Sequence, residues 1–333
     1  MSRILVTGAG GFVGGHLVNR LVAEGHDVAG VDLKSRYAWH QVNAGALTFD
    51  RLDASDVEQL GIVNSALGPF DEVYNLAANM GGISFIETYK TECMLSVLIT
   101  TNVLRAAERY GWSRVFFASS ACVYPAYRQR DNDVAPLREQ DAYPAEAEDG
   151  YGWEKLFGER MHRHFAEERG VETRVARYHN VYGPHGDYYG GREKAPAAIC
   201  RKVVEAVLSG EHKIDVWGDG AQTRSFTHVD DAIEGTVRVM RSNVREPLNV
   251  GSNQLVTIDE LITLIENYAG VTLQRTYDTT APTGVRGRNS DNALIRRYLD
   301  WEPSVTLEEG LPTLYDWVLT KLTERRDAEA VTS

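Results

Sequence analysis

Short apolar runs and helical periodicities alternate through the first half of the chain. RILVTG (3–8) leads into a helical pattern over 12–24, and DVAGVDL (27–33) follows. Further strand patterns are LTFDRLD (47–53), DEVYNLAA (71–78), RVFFASS (114–120) and TRVARYHN (173–180), with long helical patterns at 90–110 and 152–169. Near-continuous apolar strands separated by helices predict a parallel sheet covered on both faces, an α/β architecture of the doubly wound, Rossmann type. Residues 126–150 break the pattern. They are polar and irregular, which predicts a solvated surface loop, with a mobile rim over a pocket as the functional alternative. Beyond residue 180 the rhythm loosens. EKAPAAICRKVVEAVLSG (193–210) predicts a helix with proline near its start. LNVGSNQLVTIDELITLIENYAG (248–270) predicts strand, turn and helix, with Thr257 and Glu260 at capping-box spacing.

Composition narrows the partners. The 333 residues carry a net charge of −12, which argues against nucleic acid but leaves room for a local basic pocket for one small anion. The three cysteines, Cys93, Cys122 and Cys200, are odd in number and form no CxxC, so they suit a reducing compartment and offer no metal set. MSRILVTGAG passes directly into a strand and leaves no room for a signal peptide, and no apolar run is long enough to span a membrane. The expectation is a cytoplasmic protein without a membrane partner.

In TGAGGFVGG the glycines fit GxxGxxG at Gly8, Gly11 and Gly14, between a strand and a helix. Such a turn lets backbone N–H groups approach a pyrophosphate at a helix N-terminus. Asp32 ends the next strand, 21 residues after Gly11, where a carboxylate can accept from both ribose hydroxyls and repel a 2′-phosphate. NAD is therefore favoured over NADP, with Lys34 and Arg36 close behind. Asp53 is either an adenine contact or a cap for the following helix. The expected cofactor contacts are Gly8, Gly11, Phe12, Val13, Gly14, Asp32, Asp53 and Ala77, joined by Tyr151 and Lys155. The expected division is an NAD-binding domain over 1–183, with 219–254 returning to the sheet. A smaller mixed α/β substrate domain is expected over 184–218 and 255–325, and a frayed tail over 326–333.

YGWEK puts Tyr151 and Lys155 four apart, on one face of a helix start. Downstream of a glycine turn and a strand ending in Ser120, this resembles the extended short-chain dehydrogenase/reductase family, in which such a Ser, Tyr and Lys act together. A tyrosine of ordinary pKa about 10 serves as a base near neutrality only if cations stabilise its phenolate. Ala121 and Cys122 follow Ser120, so the acid that a sugar dehydratase needs there is missing. A 4-epimerase has no use for a thiol at that place. A thiol is useful if a proton must leave a carbon beside a transient ketone, and inversion then requires a second group on the opposite face. Lys194, just ahead of Pro196 at a helix N-terminus, is the candidate. The plain alternatives are a buried inert cysteine and a surface lysine.

NLAANMGG (75–82), SSACVYP (119–125), YGWEKL (151–156), GGREKAPAAICRK (190–202), WGDGAQTRSFTHVDD (217–231) and GVRGRNSDN (284–292) together resemble the GDP-mannose 3,5-epimerase family, over about residues 3 to 320. The resemblance implies Cys122 and Lys194 as the acid/base pair and Ser120, Tyr151 and Lys155 as the hydride-step group. It implies substrate contacts at Gly81, Ser120, Ala121, Cys122, Asn180, Glu193, Lys194, Ala195, Lys202, Gln222, Arg224 and Arg288. Lys202 and Arg224 suit a diphosphate, and Arg288 suits a sugar or phosphate oxygen. Against the family's NLAADMGGMGFI this chain has NLAANMGGISFI, so Asn79, Ile83 and Ser84 alter the sugar end. The implied substrate is a nucleotide-diphosphate sugar, GDP-linked by preference. Alternatives are a 3- or 5-epimerase of another nucleotide sugar such as an ADP-heptose, a 4-epimerase, a net dehydrogenase, or an NAD-sensing regulatory protein without catalysis. A homodimer is implied, with helix 90–110 and its Met94, Leu95, Leu98 and Leu104 as the expected interface.

Overall fold

The structure is a computed structural model and describes residues 1–332. Its first lobe runs β1 (Arg3–Thr7), α1 (Phe12–Ala23), β2 (Asp27–Asp32), β3 (Leu47–Asp50), α2 (Val57–Leu67), β4 (Glu72–Asn75), α3 (Ile83–Thr88), α4 (Lys90–Met94), α5 (Ser96–Tyr110), β5 (Arg114–Ser120), α6 (Tyr151–Arg169) and β6 (Glu172–Tyr178). The second part of the chain adds β7 (Val181–Tyr182), α7 (Ala195–Ser209), β8 (Lys213–Trp217), β9 (Thr223–Ser225), β10 (Thr227–His228) and α8 (Val229–Arg241). It continues with β11 (Leu248–Val250), β12 (Leu255–Thr257), α9 (Ile258–Ala269), β13 (Gln274–Asp278), β14 (Gly287–Arg288), α10 (Ala293–Leu299) and α11 (Leu307–Thr332).

Seven strands form a parallel sheet in the order β11-β6-β5-β4-β1-β2-β3. Alternation along β1 shows why both faces must be covered. Ile4 and Val6 enter one apolar core with Leu17 and Leu21 of α1 and Val237 of α8, whereas Leu5 enters the opposite core with Leu60 of α2 and Leu104 of α5. The chain reverses its direction of winding between β1 and β4, and the crevice beyond the carboxyl ends of the strands opens there.

The second lobe has its own core, in which Val203 and Val204 of α7, Leu261 and Ile265 of α9, and Leu314 and Val318 of α11 pack together. Thr257 caps α9 as the spacing predicts. Its hydroxyl accepts from Glu260 N at 3.0 Å, and Glu260 Oε2 accepts from Thr257 N at 2.7 Å. Of the 219–254 segment, β11 joins the large sheet and α8 packs against its face. β9 instead pairs with β12 and β14, because Arg224 on β9 anchors to carbonyls of the 283–286 loop. α11 runs through Thr332, and Ser333, the end of the tail expected to fray from 326, lies outside the described residues.

Segment 126–150 is a surface loop exposed at most of its positions, as expected, but it is anchored from within. Gln129, Leu137, Glu139, Ala142 and Ala147 are buried, and Leu137 bridges to Ser290. A polar network under the sheet's carboxyl edge explains this. Arg177 of β6 forms a two-pronged ion pair with Glu159 of α6, at 2.8 and 2.7 Å, with both side chains at most 3% exposed. The same guanidinium donates to Glu139 O at 2.7 Å and to the Tyr124 hydroxyl at 3.2 Å. Ser119 donates to Glu159 at 2.6 Å, Tyr124 donates to Asn249 Oδ1 at 2.6 Å, and Asn249 of β11 donates to Leu137 O at 2.8 Å. The attraction of Glu159 outweighs the cost of burying Arg177, so the guanidinium holds its proton more tightly than usual.

Removing one partner of such a pair strands a charge in the interior, at a cost of about 3–5 kcal/mol. Glu159→Gln is expected to lower the thermal midpoint clearly in calorimetry. An unchanged midpoint would show that Arg177 is not held chiefly by this carboxylate.

Candidate active site

At the first βα turn Gly8 has φ +71°, and a Cβ there would sit 2.9 Å from Ala77 N. A Cβ on Gly14 would lie 2.1 Å from Gly8 O. Gly11 stands at the N-cap of α1 with no side chain capping the helix, so the first amides, of Phe12 and Val13, are left for an anion. Asp32 closes β2 and accepts from Gly10 N at 3.0 Å and from Lys34 N at 2.9 Å. Lys34 turns its ammonium onto Gly10 O at 2.8 Å. Trp39, which the sequence reading missed, packs on Gly10, where a Cβ would come within 2.5 Å of the indole. The cap of α2 is Asp56, whose side chain accepts from Glu58 N; Asp53 instead accepts from Ser55 N. These features fit a dinucleotide: open amides for its pyrophosphate and a carboxylate at the ribose position.

A cavity of about 360 Å³ runs from Val13 and Ser120 to Trp217 and Arg224, between the two lobes. Tyr151 is the first residue of α6, and Gly152 behind it has no room for a side chain because Cys122 O would be 2.3 Å from its Cβ. Close approach there sets the tyrosine beside Ser120. Burial raises the Tyr151 phenol well above its ordinary value, the nearby Cys122 and Glu154 add to this, and the Ser120 hydroxyl opposes it. Lys155 Nζ lies 5.4 Å from the Tyr151 ring centroid, 4.8 Å from that of Phe117, and 3.3 Å from Glu154. Lys155 is the cation nearest the Tyr151 ring.

Cys122 sits in the short helical turn after β5, where its N–H donates to Ser120 Oγ at 3.2 Å. Lys194 is the N-cap of α7 and faces the same cavity. Half-buried in the cavity, it has its pKa lowered by desolvation, and the proximity of Cys122 pulls it back up. The expected acid/base pair therefore shares one chamber. Arg288, expected on a sugar or phosphate oxygen, lines the cavity and has protein partners there. It donates Nε to Gln129 at 2.7 Å, lies with Nη1 3.7 Å from Cys122 Sγ, and pairs its remaining nitrogen with Glu148. Glu148 was not anticipated, since its signal is hidden in a polar run three residues before Tyr151.

The far end carries the anion chemistry. Arg224 is half-buried; its donors go to the carbonyls of Thr283, Val285 and Thr223, and desolvation brings its pKa down to about 10. Lys202 donates to Asp215 O at 2.7 Å beside Trp217. Gln222 donates to Trp217 O, leaving its buried carbonyl oxygen without a partner. Gly81, Ala121, Asn180, Glu193 and Ala195 also line the cavity. Glu193, though, accepts from Gly191 N at 2.6 Å and faces Arg201 at 3.5 Å. Asn79 turns away to Arg192, while Ile83 and Ser84 do form the wall.

Residues 4–251 match the NAD dependent epimerase/dehydratase family. The chain belongs to that family. It is an NAD-dependent enzyme of the extended short-chain dehydrogenase/reductase type, as the glycine turn and Asp32 lead one to expect. It is 41% identical over 326 residues to GDP-mannose 3,5-epimerase 1 of Oryza sativa subsp. indica, spanning 97% of this chain and 83% of the relative. It is 39% identical to GDP-mannose 3,5-epimerase of Arabidopsis thaliana, over 97% of this chain and 84% of the relative. Among solved structures, UDP-glucose 4-epimerase of Thermotoga maritima with UDP-glucose aligns with a TM-score of 0.85 at 27% identity, covering 96% of this chain and 99% of that one.

A methyl group at position 14 of this family member must displace either Gly8 O or the helix. Gly14→Ala is expected to weaken NAD binding about tenfold or more by calorimetric titration while the fold persists. Unaltered affinity would mean that the turn does not carry the pyrophosphate.

Proposed function

We propose that this protein is an NAD-dependent 3,5-epimerase of GDP-mannose, giving GDP-L-galactose, GDP-L-gulose or both. The observation that carries the reading is the meeting of two chemistries in one cavity: Ser120, Tyr151 and Lys155 for a hydride step, and Cys122 with Lys194 for proton exchange. Similarity to the GDP-mannose 3,5-epimerases over nearly the whole chain supports the substrate.

NAD, when bound, supplies a reversible hydride acceptor for the sugar C4. Gly8, Gly11, Gly14 and the amides of Phe12 and Val13 hold its pyrophosphate, and Asp32 its adenosine ribose. Tyr151 takes the proton of the C4 hydroxyl, Ser120 orients that hydroxyl, and Lys155 sustains the phenolate. The C4 ketone makes the hydrogens on C5 and C3 acidic. Cys122 and Lys194 take and return protons at those carbons. Its lowered pKa suits Lys194 to exchanging a proton rather than retaining it. Arg224 and Lys202 hold the diphosphate, and the open carbonyl of Gln222 accepts from the nucleoside. The sugar regains its hydrogen at C4, so no net oxidation occurs.

The protein acts in this reading as a cytoplasmic homodimer. Three free cysteines suit a reducing compartment. Met94, Leu95 and Leu98 are about half exposed, as are Trp153 and Phe157 on the adjacent α6. Leu104 is excluded, because it is fully buried in the protein's own core.

Incubation with GDP-mannose in D2O should place deuterium at C5 and C3, read by NMR. Cys122→Ser and Lys194→Ala should each slow incorporation by about a hundredfold or more. Normal incorporation by both variants, or exchange with ADP-heptose instead, would overturn the assignment. Leu98→Arg should convert the dimer to monomer in analytical ultracentrifugation; a persistent dimer would move the interface elsewhere.

A further inference from the structure

Cys122 has three cations about it. Arg288 of β14 touches the sulfur, and Lys194 at the start of α7 and Arg224 of β9 are near enough for a thiolate to raise their proton affinities. From α6 and α4 it meets Tyr151 and Cys93. Positive charge beside a sulfur in general favours a thiolate, a form that takes a proton readily and returns one slowly. A group that must work in both directions needs that field offset.

One carboxylate stands in position to do so. Glu193 is turned to Arg201 and Gly191 N, Glu154 lies against Lys155, and Asp215 is at the far end beside Lys202. Glu148 alone among the carboxylates lining the cavity is paired with the arginine that touches the sulfur, and its side chain is 18% exposed against 7% for Arg288. Its backbone is fixed to the same turn, since Glu148 N donates to Cys122 O at 2.9 Å.

We propose that Glu148 is a positioning residue acting through Arg288: its carboxylate holds the guanidinium against the Cys122 thiol and offsets the guanidinium's charge, so that Cys122 can both release and recover a proton. This rests on the reading of Cys122 as a proton-transfer group, but its test needs no sugar.

The NAD-loaded protein is treated with iodoacetamide at pH 7, and modification of Cys122 is followed by peptide mass spectrometry. Glu148→Gln keeps an acceptor oxygen for Arg288 and drops the charge, so Cys122 should be alkylated about tenfold faster than in the unaltered protein. Arg288→Gln should slow alkylation about tenfold. Cys93 and Cys200, both fully buried, report folding by staying unmodified. A merely structural role would shift the melting temperature without driving the two rates in opposite directions. Alkylation of folded Glu148→Gln at the same rate or slower overturns the proposal, as does Arg288→Gln reacting as fast as the unaltered protein. If Glu148→Gln fails to protect Cys93 and Cys200, the Arg288→Gln rate decides alone. Failure of deuterium exchange with GDP-mannose would remove the epimerase reading and leave these rates standing.

Discussion

The ion pair between Glu159 and Arg177 determines where the chemistry can stand. It ties α6, which begins with Tyr151, to β6, next to the strand that ends in Ser120. Its remaining donors reach Glu139 O and Tyr124, and so pin the 121–150 segment that holds both Cys122 and Glu148. Two ions nearly out of contact with water are tolerable only because each finds several good partners. The geometry these partners require is the geometry of the site. Tyr151 and Cys122 come from different elements, yet one buried network sets the separation of those elements.

Electrostatics then divides the cavity. At the sheet edge, burial makes Tyr151 a poor base by itself, so its activation must come from cations. Near the thiol, positive charge is partly balanced by Glu148. At the far end the half-buried Arg224 donates to backbone carbonyls, which carry no full charge to balance its own. The sequence −12 charge hides this polarity, because the excess of acid is spread over the outer surface while the cavity gathers cations.

Local rules made much of this legible. Near-continuous apolar runs marked the strands of the first lobe because parallel strands are covered on both faces, and the glycine turn, the Thr257 cap and the position of Lys194 before Pro196 follow from backbone chemistry within a few residues. What escaped depends on contacts far apart in sequence. Arg288 was expected on phosphate or sugar, and only the fold shows it drawn to Gln129, Glu148 and Cys122, more than a hundred residues earlier. The 126–150 run looked solvated because its polar side chains face water or one another, while its buried members are scattered and lack periodicity. β9 left the large sheet because its partners, β12 and β14, lie later in the chain.

The segment before α7 shows how the two lobes share one constraint. Lys194 belongs to the second lobe, but the loop leading to it is fastened to the cofactor turn. His16 of α1 donates to Pro184 O at 2.9 Å, and His40, whose N–H donates to Gly10 O, lies 3.4 Å from Asp187. That contact holds the Asp187 carboxyl below its ordinary value. From the other side Gly82 N donates to Arg192 O at 2.9 Å, and a side chain at Gly82 would collide with Glu193 O. Lys194 is thus positioned from α1, behind the glycine turn, and from the cavity wall at Gly82. A shift in either would be felt at Lys194, which is why a site assembled from two lobes can keep a hydride step and a proton step in register.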